Sequence, residues 1–226
     1  MRSKDGVVYV IDGAGGSGFL PFVMRGILAD SRWEMMHFRW SAGYMRIIKD
    51  LTNRETNRIR ARELSAQILA RREARPGDQI HVIAKSAGTA IALWAMAELP
   101  ERVLDRVILL APAVSPGFPL EKSLRSARND VYSFWSPRDL FFLGLGTSIF
   151  GTADGVKGKS AGLVGFAQPQ PQTLEHDADC ARIVEVEWNA SMLSCWHVGD
   201  HAGTSMPPFI QRYVMPLLEK TDNCAS

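Results

Sequence analysis

The chain has 226 residues, 46% of them apolar and 22% charged, with a net charge of +2. That is the make-up of an ordinary globular protein with material for one sizeable core, and it excludes a collagenous, disordered or strongly basic nucleic-acid-binding chain. The three cysteines, Cys180, Cys195 and Cys224, include no CxxC pair, so neither a disulfide framework nor a zinc cluster is expected.

The N-terminal "MRSKDG" leads directly into "VVYVID" (7–12), a short run rich in β-branched residues. This predicts a first strand and no signal peptide, and no apolar stretch is long enough to cross a membrane, so a cytoplasmic location is expected. "GAGGSG" follows, then a predicted helix over about 20–30 and a second strand, "EMMHFRW" (34–40). A long basic helix is predicted near 55–73, ended by "RPGD". Residues 46–75 carry nine Lys or Arg against four Asp or Glu. Ile59, Leu64, Ile68 and Leu69 give this segment an inward stripe, and it lacks interleaved aromatics, so it reads as a solvated outer helix and not as a nucleic-acid surface.

"IHVIAK" (80–85) predicts a third strand and "AGTAIALWAMAEL" the next helix. A fourth strand lies within "VLDRVILLAPAV", a fifth at 130–136, a sixth at 182–188, and a last helix at about 208–219. Strands alternating with helices predict one α/β domain spanning 1–226, a three-layer α/β/α sandwich on a mostly parallel sheet of about six strands. Residues 141–179 break the rhythm. They are rich in Gly, Pro and Gln, but also hold Phe142, Ile149, Phe150, Leu163 and Phe166, so they are expected to form an ordered excursion covering the site.

The corner after the third strand carries the chemistry. Ala84-Lys85-Ser86-Ala87-Gly88 places a serine between strand and helix, with small residues two before and two after it. A strained turn that lifts a nucleophilic hydroxyl needs that spacing, because larger side chains there collide with neighbouring elements. The plainer alternative is a serine capping a helix. Two further features favour the nucleophile. The loop "DGAGGSG" (12–18) is small enough for a backbone amide to reach a substrate oxygen. Gly13 and Ala14 are the candidate residues there, and the Ala14 N–H would act with the Ala87 N–H. An acid and a histidine also follow in the order Ser, Asp, His: Asp139 after the fifth strand, His201 after the sixth. His197 is the alternative base and Asp154 the alternative acid. His37 and His81 lie in strands, and His176 comes too early. A metal held by His197, Asp200 and His201 is disfavoured by the glycine-rich loop around them.

With these residues in place, the chain resembles the α/β-hydrolase superfamily over Val7 to about Leu218, as a compact member without the usual preceding hairpin. "WSAGYMRIIKDL", "LLAPAVSP" and "GTADG" are similar to stretches of small, uncharacterised bacterial hydrolases. The resemblance implies an esterase- or thioesterase-like enzyme with a Ser-His-Asp triad, an acyl-enzyme intermediate, no cofactor, and a small ester substrate with an apolar acyl part. The sequence departs from the family pattern at Ala84, where Gly is commoner, and at Asp12-Gly13, where many members have His-Gly.

Two rivals remain. Gly13, Gly15 and Gly18 also spell GxGxxG after a strand, with Arg39 placed to meet the 2′-phosphate of NADP. Alternatively, the chain is a catalytically inactive hydrolase fold that only binds ligands. Lys85, beside the serine, has no role in any of these readings.

Overall fold

In the computed structural model, residues 4–41, 43, 46–139, 151–167 and 181–220 are described. Cys180, Cys224, His176, Phe142, Ile149 and Phe150 fall outside them. Six strands form the sheet: β1 (Gly6–Ile11), β2 (Trp33–His37), β3 (Gln79–Lys85), β4 (Arg106–Leu110), β5 (Val131–Trp135) and β6 (Ile183–Glu187). All pairings are parallel, in the order β2-β1-β3-β4-β5-β6. The expected three-layer α/β/α architecture with a six-stranded parallel sheet is the one observed.

The helices are α1 (Phe19–Leu28), α2 (Ile47–Thr52), α3 (Arg54–Ala74), α4 (Gly88–Met96), α5 (Glu121–Arg125) and α6 (Ala161–Val164). The C-terminal helix α7 runs as Pro207–Phe209, a π turn Ile210–Val214, and Met215–Glu219. Pro216 removes one backbone donor from this last turn, which is where such bulges are tolerated.

Side-chain alternation divides the core between two faces. Val7, Tyr9 and Ile11 of β1, with Ile80, Val82 and Ala84 of β3, pack toward α3 and α4. Val8, Val10 and Ile83 pack toward α1 and α7, with Leu20, Met24, Phe209 and Val214. Each strand is covered on both sides, which is why strands such as "RVILL" read as continuous apolar runs. The described part of the excursion joins this core: Ala161, Leu163 and Phe166 are buried on the α3/α4 face.

The chain makes β1, crosses to the sheet edge for β2, then returns to add β3 on the other side of β1. Loops leaving β1 and β3 therefore diverge, and a cleft opens between them at the C-terminal end of the sheet. Because Ile11 pairs with Ala84, the glycine loop and the Ser86 corner leave the sheet at the same level.

Two boundaries differ from the sequence expectation. β2 ends at His37 and not at residue 40. The Phe38 N–H still bonds the Val10 carbonyl, but the Trp40 indole turns back to donate to the Asp12 carbonyl at 2.8 Å, drawing the chain over the glycine loop. The basic helix is preceded by a separate turn, α2, and begins where Asn53 accepts a bond from the Thr56 N–H.

Candidate active site

Ser86 sits between β3 and α4 with φ of 52°, a left-handed conformation that costs a non-glycine residue about 1–2 kcal/mol. The surroundings enforce it. The Ser86 N–H donates to the Leu110 carbonyl, and its own carbonyl accepts from Thr89 N–H, Thr89 Oγ1 and Ala113 N–H. Held this way, the backbone cannot relax without breaking bonds on both sides, and strain retained at such a corner is a mark of a functional site. The small neighbours have a steric reason. A Cβ on Gly88 would lie 2.3 Å from the Asp12 carbonyl oxygen, and one on Gly13 would lie 3.1 Å from the Ser86 Cβ. Ala84 is fully buried against neighbouring strands.

Gly13 therefore touches the serine directly. The glycine loop is braced by two carboxylates. Asp12 accepts from the Gly18 N–H at 2.7 Å and the Ser17 hydroxyl at 3.1 Å. Asp50, from α2, accepts from the Gly15 N–H at 2.8 Å and the Ser41 hydroxyl at 2.6 Å. Neither the Ala14 N–H nor the Ala87 N–H donates to another of the described residues.

The candidate acid and base lie on the loops after β5 and β6. Asp139 is buried, and its Oδ2 lies 2.6 Å from His201 Nδ1. A proton on Nδ1 shared with a carboxylate fixes the tautomer in which Nε2 is the basic nitrogen. The loop carrying His201 is shaped by Ser136, whose hydroxyl donates to the Gly199 carbonyl at 2.7 Å, and by Asp200, which accepts from the Gly203 N–H. Gly199 has φ of 94°, and a Cβ there would meet the Arg138 side chain at 2.7 Å. Only glycine fits both the turn and the space.

His197 has a different place. It is buried edge-on against Trp188 and Phe209, and its Nδ1 accepts from the Gly199 N–H. Burial pushes its pKa down to about 4, ahead of the opposing pull of Asp200 and Asp139. It is a neutral ring supporting the loop on which His201 stands. Gly203 packs so closely that a Cβ there would overlap the His197 ring. Asp154 is engaged elsewhere: its two oxygens accept from the Ser115 N–H at 2.9 Å and the Ser115 hydroxyl at 2.6 Å. It fixes the turn after β4. Its neighbour Ala153 bonds the Ala113 carbonyl, so this part of the excursion lies against the loop beside Ser86. Among the described residues, no group of three or more His, Cys, Asp or Glu side chains is arranged to hold a metal ion.

A cavity of about 280 Å³ opens beside the glycine loop, between Gly13, Gly16 and Gly18 on one wall and His37, Phe38, Arg39, Trp40 and Ser41 on the other. Its lining mixes aromatic faces with a cation. Desolvation lowers the His37 pKa, and Arg39 lowers it further. Three features of the site were not read from the sequence: the loop braces Asp12 and Asp50, and a contact between Lys85 and Ser205. Asp12 braces its own loop, five and six residues on, whereas the Asp50–Gly15 and Lys85–Ser205 partners are 35 and 120 residues apart and meet only in the fold.

No protein-family model and no curated protein matches the chain. Solved structures similar to it include an uncharacterised protein from Capnocytophaga ochracea, at 11% identity over 93% of this chain and 56% of that one, with a TM-score of 0.46. Phospholipase PlaB from Legionella pneumophila, in complex with thio-NAD, is 14% identical over 60% of this chain and 39% of that one, with a TM-score of 0.36. Esterase Pf2001 from Pyrococcus furiosus is 11% identical over 92% of this chain and 83% of that one, with a TM-score of 0.43. The chain thus spans little more than half of the first of these proteins and well under half of the second. With these three TM-scores all below 0.5, the functional reading rests on the geometry of the site.

Proposed function

We propose that the protein is a serine hydrolase that cleaves carboxylic esters or thioesters, with Ser86 as nucleophile, His201 as general base and acid, and Asp139 as its orienting carboxylate. The observation that carries this reading is the His201–Asp139 pair at 2.6 Å, on loops at the same end of the sheet as a serine held in a left-handed turn. In this mechanism Ser86 Oγ attacks the carbonyl carbon while its proton passes to His201 Nε2. The negative charge on the carbonyl oxygen is met by the Ala14 and Ala87 N–H groups, the latter at the N-terminus of α4. Collapse breaks the bond to the leaving oxygen or sulfur, which takes the proton from His201. Water then attacks the acyl-enzyme with His201 again accepting the proton. The cavity between the glycine loop and the end of β2 is the proposed place for one arm of the substrate.

The test is covalent labelling with a fluorophosphonate between about pH 6 and 9, a range over which an ordinary histidine passes from mostly protonated to a neutral base. Labelling at Ser86, lost together with ester hydrolysis in Ser86→Ala, is expected. A folded protein that takes no label across that range, or a Ser86→Ala variant that still hydrolyses esters, would overturn the assignment. The absence of label and of hydrolysis together would favour a fold that only binds ligands.

A further inference from the structure

Lys85 is the one charged residue of the Ser86 corner, and its surroundings give it a purpose. Alternation along β3 turns its side chain to the face of Ile83, toward α1 and α7 and away from α4. There Nζ lies 2.6 Å from the Ser205 hydroxyl. Ser205 is fully buried in the short 3-10 turn Gly203–Ser205, which continues the loop carrying His201. Three carboxylates act on the ammonium from three different loops: Asp12 after β1, Asp139 after β5, and Asp200 after β6. The buried ring of His197 faces it from that last loop as well. Packing alone does not account for this. A lysine is expensive to draw even partly into a protein unless its charge is balanced, and here it bonds the loop that carries His201 and feels carboxylates on the loops after β1, β5 and β6.

We propose that Lys85 is a positioning residue of the active site, a half-buried cation that ties the His201 loop to the nucleophile strand and offsets the negative charge of the loops around it. The inference rests on the serine hydrolase reading. A general base has to be neutral to accept the Ser86 proton. A cation fixed against the loop that carries the base disfavours a second positive charge there, and the bond to Ser205 fixes that cation. Burial lowers the Lys85 pKa, while the three carboxylates oppose that fall.

The experiment compares unaltered protein, Lys85→Met and Lys85→Arg by the pH dependence of fluorophosphonate labelling at Ser86. Histidine and lysine side-chain NMR is recorded on the same samples. In Lys85→Met the acid limb of the labelling profile is expected to move up by roughly one pH unit. Labelling at the unaltered protein's midpoint should then fall about tenfold, with a smaller loss on the alkaline plateau. Lys85→Arg restores the limb. A purely structural lysine would lower the rate equally at every pH, so an unmoved limb in Lys85→Met overturns the proposal. The NMR of the unaltered protein decides the matter even where Lys85→Met does not fold: an ammonium at pH 7 is expected, and a neutral amine there overturns it. If the unaltered protein takes no label at all, the hydrolase reading fails instead, and the lysine and histidine titrations remain readable.

Discussion

His81 gives the sharpest prediction about stability. It lies in the middle of the α1 side of the sheet, 2% exposed, edge-on to Trp33 with ring centroids 4.5 Å apart. Neither ring nitrogen has a partner among the described residues. Burial, with Arg106 and Arg32 nearby, pushes its pKa down to about 3, against an ordinary value of 6.5. Between those values the unfolded chain binds a proton that the folded chain refuses. Stability is therefore full above pH 6.5 and is lost as the pH falls through this window. At pH 5 the unfolded histidine is about 1.5 units below its midpoint, which at about 1.4 kcal/mol per unit comes to roughly 2 kcal/mol. That figure hardly depends on the folded value, provided the folded value lies well below 5. Replacing His81 by Phe keeps a ring against Trp33, removes two buried polar atoms, and deletes the titration. Urea unfolding at pH 8 and pH 5 measures the effect. The drop in stability between the two is expected to be about 2 kcal/mol smaller in His81→Phe than in the unaltered protein. Equal drops in the two proteins would refute the claim that this histidine is held neutral.

His201→Ala should cost several orders of magnitude in kcat/KM, whereas His197→Ala should cost far less in turnover and more in stability, because it opens a cavity against Phe209 and Trp188. Steady-state kinetics beside thermal unfolding separate the two, and comparable losses of turnover would undo the assignment of the base. Asp12→Ala frees the Gly18 N–H and the Ser17 hydroxyl, bonds to a carboxylate worth about 1.5–3 kcal/mol each. It should reduce kcat by roughly ten- to a hundredfold through the loosened loop. An unchanged kcat would mean that the loop is held without it.

The sheet was legible because its strands are buried on both faces, and runs such as "VILLA" need no partner to be recognised. The Ser86 corner was legible for a related reason: its constraint is local and is written in the sizes of Ala84, Gly88 and Gly13. The choice between His197 and His201 was not. Both lie in one glycine-rich loop, and what separates them is Trp188 and Phe209 closing on one ring and Asp139 reaching the other. Those contacts span different elements, so no spacing along the chain reports them. Lys85 was opaque for the same reason, since its hydroxyl partner Ser205 is 120 residues away. In the sequence Asp12 registers only as a departure from His-Gly; that it braces the loop through the Gly18 N–H and the Ser17 hydroxyl shows in the fold alone.

The glycine loop also bears on the dinucleotide alternative, because the spacing of Gly13, Gly15 and Gly18 fits both. What distinguishes the two uses is where the amides point their charge. A pyrophosphate is held by loop and helix N-terminal N–H groups left open for it. Here the Gly15 N–H is spent on Asp50 and the Gly18 N–H on Asp12. A dianionic ligand would have to displace two carboxylates and then lie beside their charges. A neutral carbonyl asks for less: one or two amides, offered only as its oxygen becomes negative. The Ala14 N–H precedes both braced positions and adjoins Gly13, where an added Cβ would meet Ser86. A loop whose Gly15 and Gly18 amides are spent on carboxylates, and whose Ala14 N–H donates to none of the described residues, suits a transient oxyanion better than a resident phosphate.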